Sequence, residues 1–239
     1  MFLAKINKEQ FLEAVKSIDT VILPIGSLEA HGCHCPLSTD IIVPEKIAAM
    51  LDEQYGDKLL IAPAVAYGYS PSLIHFPGTV SVSGETLANY VTEIVSCWTN
   101  VGIKNVILLN GHGGNVPSLT IAANRIAKTG AKVMLVNWWL HFSKEILTVC
   151  DGQGHAGEDE TSVVLALDPT LVDMSKAKVY EKKLMITMMA EDIVKYSYPD
   201  AMNGDATKAT AAKGEAIYQM VVRRLGTLLE RLWQDQIID

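Results

Sequence analysis

The sequence predicts an α/β protein with a mostly parallel sheet that is covered by helices on both faces. Short, continuous apolar runs rich in β-branched residues alternate with longer stretches of helical periodicity, which is typical of buried parallel strands. Of the 239 residues, 49% are hydrophobic, enough for a sizeable core. Because no repeat, low-complexity tract or long linker divides the chain, we expect one domain over residues 1–239.

Each predicted strand is an apolar run bounded by polar or glycine-containing segments. Parallel sheets place their functional sites beyond the carboxyl ends of the strands, so the segments that follow these runs are the first candidates for chemistry. The predicted strands are Val21–Ile25, Leu59–Val65, Asn105–Leu109 and Lys132–Val136.

The predicted helices carry apolar residues at 3.6-residue spacing or open with a recognisable first turn. Pro44 is expected in the first turn of one helix, and Ser83 is expected to cap another. The predicted helices are Pro44–Tyr55, Ser83 to about Val101, Pro117–Lys128, Glu158–Leu167 and Lys208–Trp233.

The composition argues against several classes of protein. The formal net charge is −7 with the basic residues scattered, which disfavours nucleic-acid or membrane-surface partners. No apolar run has the length of a spanning helix, and Met1–Lys5 does not resemble the start of a signal peptide. We therefore expect a cytoplasmic protein that acts on a small molecule.

The segment after the first strand, Gly26–Asp40, concentrates acids and imidazoles. Glu29 and His31 are two positions apart, which points both side chains the same way in an extended chain. Asp40 stands just before the next helix, where a carboxylate can also cap the backbone. A metal site and an ordinary loop with a helix cap both remain open for this segment taken alone.

The segment after the third strand is Asn110–Asn115, in which three glycines surround His112. A structural turn needs the glycines but does not need the histidine. A phosphate-binding loop is the rival interpretation, but it usually opens its helix with Lys and Ser or Thr, whereas Val116, Pro117 and Ser118 follow here. We favour a metal ligand at His112.

A third segment, Gly154–Ser162, places His155 in a glycine-rich turn before a predicted helix. The acids Glu158–Glu160 suit the positive end of that helix, whereas His155 has no such structural reason. Together the three segments supply carboxylates and imidazoles without a thiolate cluster, a set that suits Zn²⁺, Mn²⁺ or Fe²⁺. Two such ions can share a bridging carboxylate, generate a metal-bound hydroxide and polarise a carbonyl group.

These residues resemble the creatininase (creatinine amidohydrolase) family, and the matching segments occur in the family's order. Each segment is weak alone, but their combination is specific. The matching segments are Pro24–Gly32 with Asp40, Tyr67–Tyr69, His75–Thr79, Asn110–Asn115, His155–Gly157 and Glu160–Ser162.

The resemblance implies a three-layer α/β/α sandwich with a two-metal centre, and a homo-hexamer. Glu29 and His112 would bind one ion, His31 would bind the other, and Asp40 would bridge them. His155 falls on the family's active-site histidine, which acts on the proton of the scissile C–N group. The residues expected to contact substrate are Tyr67, His75, Gly113 and Trp139.

Two departures from the creatinine-hydrolysing enzymes stand out. Those enzymes resemble one another in having a Glu where this chain has Gly114, so the second ion would lack a carboxylate ligand. We predict that Glu158 supplies that carboxylate and takes part in catalysis. The same enzymes carry a Trp where this chain has Asp151, and Trp139 matches their second pocket tryptophan.

The leading hypothesis from the sequence is metal-dependent hydrolysis of an amide-type C–N bond in a small polar substrate, cyclic compounds included. Deformylation and the hydrolysis of a cyclic ketone are alternatives within the same family. From other classes, a non-catalytic metal-binding or ligand-binding protein on this scaffold and a phosphate-binding α/β protein remain open.

Overall fold

The computed structural model describes residues 1–181 and 198–236. Its main sheet has four parallel strands in the order β2-β1-β3-β4, in agreement with the predicted class. The second strand is shorter than predicted, because the N–H groups that donate to β1 are those of Ala62 and Val65, three residues apart opposite two, and this leaves only an isolated bridge at Val65. The strands of the main sheet are β1 (Thr20–Ile25), β2 (Leu60–Ile61), β3 (Asn105–Asn110) and β4 (Lys132–Asn137).

The helices follow the predicted order, with one correction that affects the site. The second helix begins at Thr39, so Asp40 lies in its first turn and Pro44 lies inside it. The helices are α1 (Lys8–Ala14), α2 (Thr39–Tyr55), α3 (Gly84–Thr99), α4 (Val116–Ala127), α5 (Trp138–His141), α6 (Ser143–Ile146), α7 (Glu158–Leu167) and α8 (Ala211–Trp233).

Helices cover both faces of the sheet, as the apolar strands predict. Side chains alternate along β1, so that Ile22 packs into the core beneath α2, α7 and α8, while Leu23 packs into the core beneath α3 and α4. Strand β3 divides in the same way, with Ile107 on the first face and Leu108 on the second. The three-layer α/β/α arrangement therefore follows from strands that are apolar on both faces. Among the helices of the described residues, none has the length and apolar character that crossing a membrane requires.

Two glycines bring the carboxyl ends of β1 and β3 against the start of α2. A Cβ atom at Gly26 would lie 2.5 Å from the backbone oxygen of Asp40, and one at Gly111 would lie 2.0 Å from the same atom. Pro44 has no N–H to donate to that oxygen, which one turn of helix would otherwise engage. This close backbone approach brings the segments after β1 and β3 together beside Asp40.

Candidate metal centre and pocket

Two histidines use one ring nitrogen on the backbone and turn the other towards carboxylates. His31 Nδ1 lies 3.1 Å from the carbonyl oxygen of Glu29, and His112 Nε2 lies 3.0 Å from the carbonyl oxygen of Tyr69. A carbonyl oxygen only accepts, so each of these nitrogens must carry a proton and donate it. The remaining nitrogens, His31 Nε2 and His112 Nδ1, are therefore the ones available to a metal ion.

The Asp40 carboxylate lies between the two rings. Its Oδ1 is 3.0 Å from His31 Nε2, and its Oδ2 is 3.0 Å from His112 Nδ1. Glu29 Oε1 completes one side at 3.1 Å from His112 Nδ1, and Glu160 Oε2 completes the other at 3.5 Å from His31 Nε2. The result is two groups of ligand atoms that share Asp40: Glu29, Asp40 and His112 in one, and His31, Asp40 and Glu160 in the other.

The donor atoms fit divalent cations. Both carboxylate oxygens of Glu29 and the Oδ2 of Asp40 are buried and accept no hydrogen bond of good geometry. Buried carboxylate oxygens without partners are costly unless a cation neutralises them. Four ligands placed tetrahedrally about 2.1 Å from one ion are about 3.4 Å apart, close to the separations seen here.

The electrostatics of the protein alone show how strongly this site favours positive charge. Burial opposes protonation of His31, but the Asp40, Glu160 and Glu29 carboxylates outweigh it and raise its pKa to about 10. Burial likewise opposes protonation of His112, and Glu29 with Asp40 raises its pKa to about 10. Burial raises the pKa of Glu160 to about 8, whereas the two imidazolium rings overcome burial at Asp40 and hold its pKa below the usual range.

His155 lies beside this cluster, but its pKa is shifted in the opposite direction from those of His31 and His112. Its Nε2 lies 2.9 Å from the carbonyl oxygen of Ala30 and donates to it, which leaves Nδ1 unprotonated, 3.7 Å from Glu29 Oε1. The ring centroid is 4.3 Å from that of His31. Burial and the charge of His31 lower the pKa of His155 to about 4, so this imidazole is neutral near pH 7. Its free nitrogen faces the metal cluster.

The structure corrects the prediction made for Glu158. This carboxylate accepts hydrogen bonds from the backbone N–H groups of Asp151 at 2.8 Å and Gly152 at 3.1 Å, and it forms an ion pair with Lys213. Glu158 is therefore turned away from the metal cluster. Glu160, two residues later on α7, provides the carboxylate beside His31.

The first turn of α7 instead holds the loop that presents His155. After Glu158, the next acid Asp159 accepts from the N–H of Gly154 at 3.1 Å, and Glu160 accepts from the N–H of Ala156 at 2.7 Å. Ala156 has a φ of 52°, an unusual value for a residue with a side chain, and it reverses the chain just before the helix. Glu158 and Glu160 are two residues apart on α7, so their side chains point to nearly opposite sides of the helix, and it is Glu160 that lies beside His31.

Packing explains why no carboxylate is present at residue 114. A Cβ atom at Gly114 would lie 2.2 Å from the backbone oxygen of Tyr69 and 2.4 Å from Nε2 of His112. Any side chain there would disturb the hydrogen bond that orients His112. The carboxylate of Glu160 lies beside His31 instead, and it comes from α7, a different element of the fold.

A cavity of about 360 Å³ opens onto the cluster. Gly113 and Trp139 line it, as predicted, whereas Tyr67 and His75 are exposed and do not. The neighbouring backbone is fixed by hydrogen bonds from the N–H of Val82 to the carbonyl oxygen of Gly68 and from the N–H of Tyr69 to Asn115 Oδ1, while the Tyr67 side chain is exposed. Residues that the sequence analysis did not predict also line the cavity: Ser70, Leu73, Gln153, Asp159, Glu160 and Tyr198.

Among these additional residues, Glu160 was within reach of sequence reasoning, because it belongs to the Glu160–Ser162 segment that carried the family resemblance. Tyr198 carried no motif. Its ring meets that of His155 edge-on, with centroids 5.7 Å apart. Only the folded chain brings it to the cavity.

The fold and the cluster together define a class of enzyme: an α/β/α hydrolase with a carboxylate–imidazole cluster that could hold metal ions, beyond the carboxyl ends of its parallel strands. The sequence model of the creatininase family, described as creatinine amidohydrolase, matches residues 4–229. The chain belongs to the creatininase family, whose members are hydrolases acting on C–N bonds, and it is an enzyme of that class.

Similar proteins differ in what they act on. The chain is 34% identical over 230 residues to the mycofactocin precursor peptide peptidase of Mycolicibacterium smegmatis, covering 91% of this chain and 86% of that protein. It is 28% identical to the creatinine amidohydrolase of Pseudomonas putida, covering 93% and 94%. It is 29% identical to the 2-amino-5-formylamino-6-ribosylaminopyrimidin-4(3H)-one 5'-monophosphate deformylase of Methanococcus maripaludis, covering 73% and 69%.

Solved creatininase structures share the fold. A manganese creatininase superposes with a TM-score of 0.81 at 26% identity, covering 95% of this chain and 96% of that chain. A mutant creatininase of the zinc–zinc type gives a TM-score of 0.81 at 26% identity, covering 95% of each chain.

Proposed function

We propose that this enzyme hydrolyses an amide-type C–N bond of a small polar substrate, cyclic amides included, at a centre of two divalent ions. One ion would be held by Glu29, Asp40 and His112, and the other by His31, Asp40 and Glu160. The observation that carries the proposal is the position of Asp40, whose two oxygens each lie 3.0 Å from a different imidazole. That is the arrangement expected of a bridging carboxylate.

The donor set indicates which ions fit. Imidazole and carboxylate ligands without thiolate suit Zn²⁺, Mn²⁺ or Fe²⁺, and the similar structures described with manganese and zinc agree with this choice. When bound, such a pair lowers the pKa of water and polarises a carbonyl group.

His155 is the residue of the chain that we assign to proton transfer. His155 is neutral near pH 7, and its unprotonated Nδ1 faces the cluster. It is placed to accept a proton from the attacking water and then to donate that proton to the leaving nitrogen. The hydrogen bond from His155 Nε2 to Ala30 holds the ring in the required tautomer.

The cavity favours an uncharged amide over a phosphorylated one. Glu29, Asp40, Asp159 and Glu160 line it, and no Lys or Arg is present among the described lining residues. With the two proposed ions bound, the lining carboxylate left outside the two ligand groups is Asp159, and no Lys or Arg of the described chain lines the cavity to pair with a phosphate group of the substrate. The same carboxylates argue against Gly111–Gly114 as a phosphate-binding loop. The departures at Gly114 and Asp151 from the creatinine enzymes favour an amide other than creatinine.

The family resemblance suggests the assembly, whereas the composition of the sequence suggests the single domain and the location. We propose one domain over residues 1–239, a homo-hexamer and a cytoplasmic location. Size-exclusion chromatography with light scattering tests the hexamer directly.

The function is tested by metal analysis of the purified protein, followed by a substrate panel of creatinine, formamides and short peptides. We expect transition metal in the protein, activity lost on chelation, and activity restored by Zn²⁺, Mn²⁺ or Fe²⁺. Activity that survives chelation in metal-free protein would refute the mechanism. Stoichiometric metal without turnover of any amide would favour the non-catalytic alternative.

A further inference from the structure

Three buried asparagines lie behind the metal cluster without contributing a ligand atom to it. Asn110 ends β3, Asn137 ends β4, and Asn115 follows the loop that carries His112. Their exposed fractions are 0%, 3% and 0%. Buried amides need hydrogen-bond partners, so what they bind reveals what they hold in place.

Asn110 holds the backbone of His112 from both sides. Its Oδ1 accepts from the N–H of His112 at 3.1 Å, and its Nδ2 donates to the carbonyl oxygen of His112 at 2.8 Å. The same Nδ2 donates to Asn137 Oδ1 at 2.8 Å, which ties the arrangement to the neighbouring strand. The peptide groups on either side of the His112 ring are thus fixed to the sheet.

Asn115 holds the group that orients the His112 ring. Its Oδ1 accepts from the N–H of Tyr69 at 2.8 Å, and the carbonyl of Tyr69 accepts from His112 Nε2 at 3.0 Å. Its Nδ2 donates to the carbonyl oxygen of Gly26 at 2.9 Å and to Asn110 Oδ1 at 3.2 Å. One amide therefore joins the end of β1, the Tyr69 segment and Asn110.

We propose that Asn110, Asn115 and Asn137 form a positioning network for the His112 half of the metal centre. This inference rests on the proposed two-ion function. The network would set the affinity of the ion held by Glu29, Asp40 and His112. In the described parts of the chain, these three side chains form no hydrogen bond with His31 or Glu160. Their loss should therefore weaken one ion and spare the other.

The amide is chemically required at residue 115, because Asn115 both donates and accepts. An aspartate has the same shape but only accepts when ionised. Asn115→Asp would lose the donation to Gly26 and would place a negative charge 3.2 Å from Asn110 Oδ1. This variant changes the network with little change in side-chain volume.

The experiment is a metal titration of the full chain with Zn²⁺ against a chromophoric chelator, which resolves the two affinities. Co²⁺ absorption provides an independent measure of ligand geometry. For Asn115→Asp we expect one ion to bind as in the wild type and the other to bind about 10–100-fold more weakly. The weakened ion should be the one that His112→Ala abolishes.

Asn105→Asp is the matched control. Asn105 is also buried on β3, but it lies at the opposite end, where it donates to Asp19 and Thr20. We expect this variant to keep both ions. Asn137→Ala removes a single amide partner of Asn110, and it is the substitute test variant if Asn115→Asp does not fold. It should weaken the same ion to a smaller extent.

The outcomes distinguish a failure of the proposed positioning role from a failure of the proposed two-metal centre. Wild-type affinities at both ions in folded Asn115→Asp or Asn137→Ala protein would overturn the positioning role. An equal loss at both ions, matched by Asn105→Asp, would also overturn it. A wild-type protein that binds no Zn²⁺ or Co²⁺ would instead refute the two-metal centre.

Discussion

Glu160 Oε2 lies 3.5 Å from His31 Nε2, whereas the loop after β3 offers no carboxylate, because residue 114 is glycine. His31 follows β1, whereas Glu160 lies in the first turn of α7. The second group of ligand atoms is thus assembled from distant parts of the sequence. This relationship separates Glu160 from its neighbour Glu158 and allows the two acids to be tested against each other.

Glu160→Gln should lower the affinity of one of the two ions at least about tenfold, because it removes a charged ligand atom from the His31 group. Glu158→Gln should keep both affinities and lower the free energy of unfolding by about 1–3 kcal/mol, because Glu158 is buried against Lys213 and two backbone N–H groups. Metal titration and urea unfolding measure the two effects. Loss of metal from Glu158→Gln with Glu160→Gln unaffected would reverse the assignment.

Asp40→Ala should empty both sites, because each of its oxygens faces a different imidazole. We expect the metal content to fall from two ions per chain to below one when metal is supplied at concentrations that saturate the wild type. Elemental analysis after gel filtration measures the content, with circular dichroism as the test of folding. Retention of one tightly bound ion would contradict the bridging role.

His155→Gln should reduce kcat by about 10²–10⁴-fold while the metal content stays unchanged, because the ring is assigned to proton transfer rather than to binding an ion. Steady-state kinetics on the best amide of the panel, combined with elemental analysis, checks both parts. Loss of an ion from this variant would make His155 a ligand with Glu29 and His31, a grouping that the geometry also allows.

The stability of the metal-free protein should fall as the pH rises from about 5 to 10. The folded-state pKa values of His31, His112 and Glu160 all lie above their unfolded values, at about 10, 10 and 8. The folded state therefore binds more protons, and its advantage is lost as the pH passes through these values.

Metal must displace the same protons, so we expect its affinity and its stabilising effect to increase over this range. Thermal unfolding with and without Zn²⁺ at pH 6, 7.5 and 9 should show a growing difference in Tm. A difference that shrinks with rising pH would contradict the protonated state assigned to the free site.

The sequence by itself determined the α/β class, and it predicted as ligands Glu29, His31, Asp40 and His112, which the structure brings into two groups of donor atoms. It could do so because these features are local. Continuously apolar strands indicate a sheet that is buried on both faces. The predicted ligands follow β1 and β3, and the carboxyl ends of these parallel strands lie at the same edge of the sheet. Gly113 and Trp139, which follow β3 and β4, were located at the cavity for the same reason.

Only the tertiary structure placed Glu160 rather than Glu158 beside His31, turned Tyr67 and His75 outward, and brought Tyr198 to His155. These outcomes depend on how separate elements meet. The chain reversal at Ala156 sets the direction of α7, and Lys213 on α8 captures Glu158. The backbone oxygen of Tyr69 excludes a side chain at Gly114. The spacing of residues along the chain could not predict these contacts, because each one depends on packing between residues far apart in sequence.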